Sequence, residues 1–251
     1  PPDYMGPKNP NYMDYPYDPV LIDGEYWIFY TNGYNGTGGD TVYRYQGTNI
    51  ENAVRQPDGV AHFPFRAGYI LGGIWYDATA KKLYAPLHDE EAPYDKSVER
   101  QIRLASSTDK GLTWKYEGLL LSRDDPKDAP RNPTEYSGLY WEGGDADFHL
   151  FVDERGGYFY LYTLNWINPK LGSSAMPFMR YRVARCAIAD KMAPGKWWRF
   201  YNGSWNEPGV GGKGSYVNAY DVSYNSYVKK YISFNYASGI SICDDLSKQN
   251  W

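Results

Sequence analysis

Residues 17–31 read Tyr17-Asp18-Pro19-Val20-Leu21-Ile22-Asp23-Gly24-Glu25-Tyr26-Trp27-Ile28-Phe29-Tyr30-Thr31. Asp-Gly between two apolar runs marks a tight β-hairpin, because both turn residues must take positive φ, which glycine adopts freely and aspartate tolerates. The same layout of strand, turn and aromatic return strand recurs three times. It runs through 69–76 with a turn at 77–81 and a return at 82–88, and through 145–152 with a turn at 153–157 and a return at 158–164. Its last copy spans 215–223, turns near Asn225-Ser226 and returns over 229–236. A third strand follows each hairpin after a loop, at 41–45, 101–107, 181–186 and 239–243.

Turns beginning near residues 23, 77, 153 and 225 give spacings that suit blades of about four strands with variable loops. The expected fold is all-β, a single β-propeller domain over 1–251. The fourth repeat reaches Trp251 where its outer strand should start, so a five-bladed propeller truncated in the fourth or last blade is expected, with closure of the ring by residues 1–17 as the alternative. Composition agrees: 9 Trp, 27 Tyr and 9 Phe, punctuated by 26 Gly and 17 Pro, favour many short strands over long helices.

Charge and hydropathy narrow the partners. With 26 Lys+Arg against 30 Asp+Glu the net charge is −4, which argues against nucleic acid. No run approaches the ~20 apolar residues of a membrane helix, so no membrane partner is expected. The first residues, Pro1-Pro2-Asp3-Tyr4, do not resemble a secretory leader, which a secreted chain would have lost. Cys186 and Cys243 fall at matching places in neighbouring repeats, further apart than a disulfide spans, and each is expected as a free buried thiol.

Propeller geometry sorts the polar residues by face. Turns between first and second strands lie on one face, so Asp23, Asp77 and Asp153 are read as turn formers that bond their own backbone. First strands begin and second strands end on the other face. That face collects Asp18, Glu142, Asp145 and Asp147 at strand starts and Glu207 in the Gly-rich loop 206–212. His88, Asp89, Glu90 and Trp166 close second strands there, and Trp141 and Trp205 are read as loop aromatics able to stack on sugar rings. Asp145, Asp147 and His149 alternate along one strand and so are expected to point together; His149 is the candidate metal ligand, and Ca²⁺ the cation that such carboxylates suit.

Two resemblances add to this. Ser107-Thr108-Asp109-Lys110-Gly111-Leu112-Thr113-Trp114 matches the Asp-box of sialidases and related propellers, S-x-D-x-G-x-T-W, at every specified position. In those families the box is a turn between third and fourth strands, away from the active site. The opening stretch from Tyr17 to Thr31, with its Asp18-Pro19 start, resembles the first blade of five-bladed glycosidases such as glycoside hydrolase family 43, and 148–162 resembles a later blade. The acid motif of that family, Glu-Gly-Pro, has only partial echoes in Glu142-Gly143-Gly144 and Glu207-Pro208-Gly209.

The resemblance implies a secreted or periplasmic glycoside hydrolase acting on a polysaccharide or oligosaccharide, inverting rather than retaining. No cofactor is required for that chemistry. One carboxylate activates water and one carboxylic acid protonates the leaving oxygen. Asp18 is read as the base and Glu207, ahead of Glu142, as the acid; Asp147 is a further catalytic candidate. His88, Glu90, Trp141, Asp145 and Trp166 are read as substrate-binding. The alternatives are a sialidase-like exo-glycosidase, for which Arg44 and Arg180 are poorly placed, and a non-catalytic carbohydrate-binding propeller.

Overall fold

A computed structural model describes residues 19–31, 41–63, 68–70, 73–91, 97–122, 141–168, 178–235 and 239–251. Strands and the turns joining them dominate; among the described residues the named helical element is one 3₁₀ turn, Ile188–Asp190. The chain divides into two compact units, one of residues 1–89 and 103–118 and the other of 90–102 and 119–251.

In the first unit, β1 (Val20–Ile22) and β2 (Glu25–Thr31) form the antiparallel hairpin read from the sequence, with Val20 opposite Trp27. Asp23 and Gly24 carry φ of 53° and 86°, both in the left-handed region that a two-residue hairpin turn demands. β3 (Thr41–Gly47) pairs with β2 and then with the short β4 (Val54–Arg55) and β5 (Gly59–Val60). β6 (Gly68–Ile70) and β7 (Trp75–Asp77) both pair with β8 (Lys82–Glu91), and β8 neighbours β9 (Ser97–Ser107), which neighbours β10 (Lys115–Leu121). Strand alternation turns Ile22, Trp27, Phe29, Val42, Leu83, Ala85, Leu87 and Trp114 into one buried cluster.

The turn from β9 to β10 holds the S-x-D-x-G-x-T-W stretch. Asp109 accepts from the Thr113 backbone at 2.9 Å, the Thr113 hydroxyl at 2.6 Å and the Ser107 hydroxyl at 2.7 Å. The Trp114 indole donates to the Gly111 carbonyl at 3.0 Å and meets Phe29 edge-on. Asp77 behaves likewise in its own turn, accepting from the Thr79 and Ala80 backbone.

In the second unit β11 (Trp141–Asp153), β12 (Tyr158–Asn168), β13 (Phe178–Ala187), β14 (Trp198–Tyr201) and β15 (Ser204–Pro208) form a five-strand antiparallel meander. The start of β11 also pairs in parallel with β9, Trp141 opposite Ser97 and Gly144 opposite Arg100, a bond between sequence repeats that strand spacing alone does not foretell. β16 (Asp221–Asn225), β17 (Lys230–Asn235) and β18 (Gly239–Cys243) make a separate three-strand sheet. Tyr160, Tyr162, Val183 and Phe200 pack against Val217, Val222, Cys243 and Leu246, so the two sheets share one core. Both cysteines are free and buried, and burial pushes the Cys186 thiol up to about 12.

All four hairpins and all four third strands of the sequence reading are present. The hairpin β14–β15 is an addition. Its turn is Asn202-Gly203, at φ of 49° and 81°, and its second strand takes in Trp205 to Glu207, read from the sequence as loop residues.

Candidate functional site

The ends of β11 and β12 remote from their connecting turn gather four of the candidate residues, Trp141, Glu142, Asp145 and Trp166. Register places Glu142 opposite Asn168, Gly144 opposite Trp166 and Asp145 opposite Asn165, while Trp141 opens β11 beside Ser97 of β9. Gly144 is needed there. Its φ is +114° and a Cβ would lie 2.2 Å from the Arg100 carbonyl oxygen, so any side chain would push β11 off β9. From the other side the Asn165 amide donates to the Gly144 carbonyl at 3.2 Å. The backbone carrying Glu142 is thus held on both flanks.

Below it lies a buried ion pair. Asp145 and Arg199 are both fully buried, and the guanidinium donates to Asp145 Oδ1 at 3.1 Å and Oδ2 at 2.5 Å. Its remaining donors reach the Gly209 carbonyl at 3.0 Å and the Ser122 carbonyl at 2.5 Å, and the Thr163 hydroxyl adds a third bond to Asp145 at 2.8 Å. One arginine therefore ties β14 to β11, to the residue following β10 and to the chain following β15. A charge this deep persists because each of the three guanidinium nitrogens has an acceptor and the carboxylate is matched edge to edge. Asp145 is consequently a strut of the unit, which corrects its reading as a substrate-facing carboxylate.

The expected alignment of Asp145, Asp147 and His149 also fails, for a stated geometric reason. The β11–β12 register shifts between Asp145 and Phe148: Asp145 faces Asn165 and Phe148 faces Thr163, so β11 spends one extra residue in a bulge. Asp145 and Phe148 then share a face and His149, opposite Tyr162, takes the other. Asp147 sits within the bulge, half-buried. It lies near Tyr220, whose phenol is pushed up first by burial and then by the Asp147 charge; Tyr220 in turn stacks on Tyr181 at 5.0 Å.

His149 does not present itself as a metal ligand. Its Nε2 is 3.0 Å from the Val222 carbonyl, which only accepts, so that nitrogen is the donor, and Nδ1 faces Asp221 at 3.5 Å. Among the described residues no three His, Cys, Asp or Glu side chains converge as a metal site. With Asp145 saturated by Arg199 and Thr163, these residues do not fit the Ca²⁺ site that their sequence spacing suggests.

Glu207 stands in a strand and not in the Gly-rich loop read from the sequence. It lies in β15, opposite Arg199, at the far edge of the meander from β11, and its carboxylate accepts from the Lys213 backbone at 3.1 Å. Trp205 shares that strand: its ring packs on Phe200 and edge-on against Tyr160, and its indole donates to the Ser247 carbonyl at 2.7 Å, so it is a packing residue with a polar tie. In the first unit His88 is buried in β8 opposite Tyr69, next to Asp89, which pairs with Arg103 at 2.5 Å. Glu90 follows within β8. Asp18 lies outside the described residues, immediately before them in sequence.

Arg199 is the residue that sequence reading missed. The available signal was a lone cation inside the apolar run Trp197-Trp198-Arg199-Phe200, where burial demands a counter-ion.

No protein-family pattern and no curated protein sequence matches the chain. Its fold does match solved structures. An exo-β-1,3-galactanase from Phanerochaete chrysosporium, solved with β-1,3-galactotriose, aligns over 94% of this chain and 48% of its own length, at 10% identity and a TM-score of 0.56. A family 117 glycoside hydrolase from the marine bacterium Zobellia galactanivorans aligns over 92% of this chain and 66% of its own, at 11% identity and a TM-score of 0.56. The chain therefore spans about half the length of the galactanase and two thirds of the second enzyme. At such identities the likeness is one of fold.

Proposed function

We propose that the protein is a glycoside hydrolase on a five-bladed propeller frame, cleaving a polysaccharide or its oligosaccharides by paired carboxylates. The observation that carries this reading is the match of more than nine tenths of the chain to the fold of glycoside hydrolases, one of them solved with an oligosaccharide. Asp18 is assigned as the base that activates water. Glu142, not Glu207, is assigned as the acid. Glu142 stands one residue inside the start of β11, across from Asn168 and two residues from the clamped Gly144, whereas Glu207 is in an edge strand with its carboxylate on the Lys213 backbone. Trp166, opposite Gly144, belongs to the same end. Inversion is the stereochemical outcome favoured, as the resemblance of residues 17–31 to family 43 glycosidases implies.

Hydrolysis of a panel of aryl glycosides and polysaccharides, β-1,3-galactan among them, tests the reading. A general acid matters only when the departing oxygen needs a proton. Glu142→Gln should therefore cripple cleavage of natural glycosides by roughly 10²–10⁴ while sparing nitrophenyl glycosides, and Asp18→Asn should lose turnover on both. Full activity of both variants, or no activity of the unaltered chain on any glycan, refutes the proposal.

A further inference from the structure

Far from Glu142, at the end of β12 next to the β11–β12 turn, the second unit carries an open groove of about 490 Å³. Tyr158 and Glu142 are at opposite ends of the β11–β12 ladder, about 33 Å apart along the strand at ~3.3 Å per residue. The groove is lined by Tyr158, Arg185, Asp190, Lys196, Trp198 and Trp205 among others. Its size falls within the ~300–1,000 Å³ of small-molecule sites.

Its floor is preformed. The Arg185 guanidinium stands over the Tyr158 ring at 4.3 Å and over the Trp205 ring at 4.4 Å, held between two aromatic faces. Trp205 is itself fixed by Tyr160 and by the Ser247 carbonyl. Beside this stack Trp198 stays open to solvent: it is 45% exposed, yet register places it directly opposite Arg185 in the sheet, with Pro208 on its other side. An exposed indole on a rigid strand, next to a fixed guanidinium, is a platform whose ordering cost is already met by the fold. The lining also includes Asp190, from the one-turn 3₁₀ element, Lys196 and Asn206, which carry a carboxylate, an ammonium and an amide.

We propose that this groove is a second carbohydrate-binding site, separate from the catalytic end, that holds a short stretch of a neutral linear glycan against Trp198. A sugar ring offers an apolar C–H face to the indole and hydroxyls that both donate and accept, matching Asp190 on one hand and Lys196, Arg185 and Asn206 on the other. A purely apolar ligand would strand the lining charges. The Arg185 guanidinium is already engaged by two aromatic faces and Asp190 offsets Lys196, so an acidic glycan gains no free cation there, and a nucleic acid would find no row of cations. The choice of carbohydrate as ligand rests on the glycoside hydrolase reading above.

The test follows the Trp198 indole N–H by NMR while the Glu142→Gln chain, used to spare the ligand, is titrated with neutral linear oligosaccharides and with one rich in uronic acid. The neutral ligands should shift that signal saturably. Trp198→Ala should weaken binding at this site about tenfold with melting temperature little changed, and Trp198→Phe, which keeps an aromatic face, should weaken it less. A Trp198 signal indifferent to every neutral oligosaccharide, or tighter binding of the acidic one, overturns the proposal. Saturable binding at Trp198 by a chain that hydrolyses nothing would refute the hydrolase reading and leave the groove standing; hydrolysis with a silent Trp198 would do the reverse.

Discussion

Asp145 illustrates what a single residue's sequence neighbours fail to convey. Its position between Gly144 and Asp147 suggests a member of a polar channel lining, yet its true partner, Arg199, is 54 positions away and both side chains are sealed from water. Alternation also misleads at this point, because a bulge has no side-chain signature of its own and shifts every later residue to the other face. Removing one charge of a buried pair costs more than the pair contributes, since the other is left without a counter-ion. Asp145→Asn is therefore expected to destabilise the protein by roughly 3–5 kcal/mol, seen as a lower urea midpoint at unchanged slope. The double replacement Asp145→Leu with Arg199→Met should recover much of that loss, and a single variant as stable as the parent would show that the guanidinium has found water.

At the scale of elements the sequence was more legible. Asp23-Gly24 gave a hairpin in the expected register; Asp77 and Asp153 each close a strand at its turn, Asp77 accepting from the turn backbone and Asp153 from the Tyr231 hydroxyl. Asn202-Gly203 carried an equally strong turn signal between aromatic runs, and reading it would have placed Glu207 in a strand from the outset. The turn from Ser107 to Trp114 makes a pH prediction. Partial burial pushes the Asp109 carboxyl up, but bonds from the Thr113 side chain and backbone, from Ser107 and from Leu112 outweigh it and hold the group below its ordinary value. Glu117 on the adjoining β10 is depressed as well: burial raises it, and Ser106, Lys82 and Lys115 more than offset that. A depressed folded-state pKa gives stability that is complete above the unfolded value, near 4, and is lost as pH falls through the folded one. Melting temperature should thus decline from about pH 4 downward, and Asp109→Asn should be less stable at neutral pH with a shallower acid slope. An identical slope in the variant would remove Asp109 from the acid response.

Over the whole molecule, repetition of one hairpin unit was enough to indicate an all-β chain, and the galactanase and the family 117 enzyme share its fold at 10% and 11% identity, where no catalytic residue can be transferred by sequence alone. What repetition could not reveal was the parallel pairing of β9 with β11, since that contact depends on where two distant strands arrive in space. The Arg199 cluster has a consequence in time. Its acceptors lie 10, 54 and 77 residues away, so during synthesis Asp145 and Ser122 wait for Arg199 to be made, and the last acceptor, Gly209, follows later still. Contacts that join such distant segments form late on the folding route. Arg199→Met should then accelerate unfolding far more than it slows refolding, giving a φ-value near zero. In stopped-flow experiments the refolding arm would overlay that of the parent while the unfolding arm moved upward. A slowed refolding arm would instead make this arginine part of the nucleus. On the expected outcome the guanidinium is a latch that closes after the sheets have met, setting how long the native state lasts rather than how quickly it is reached.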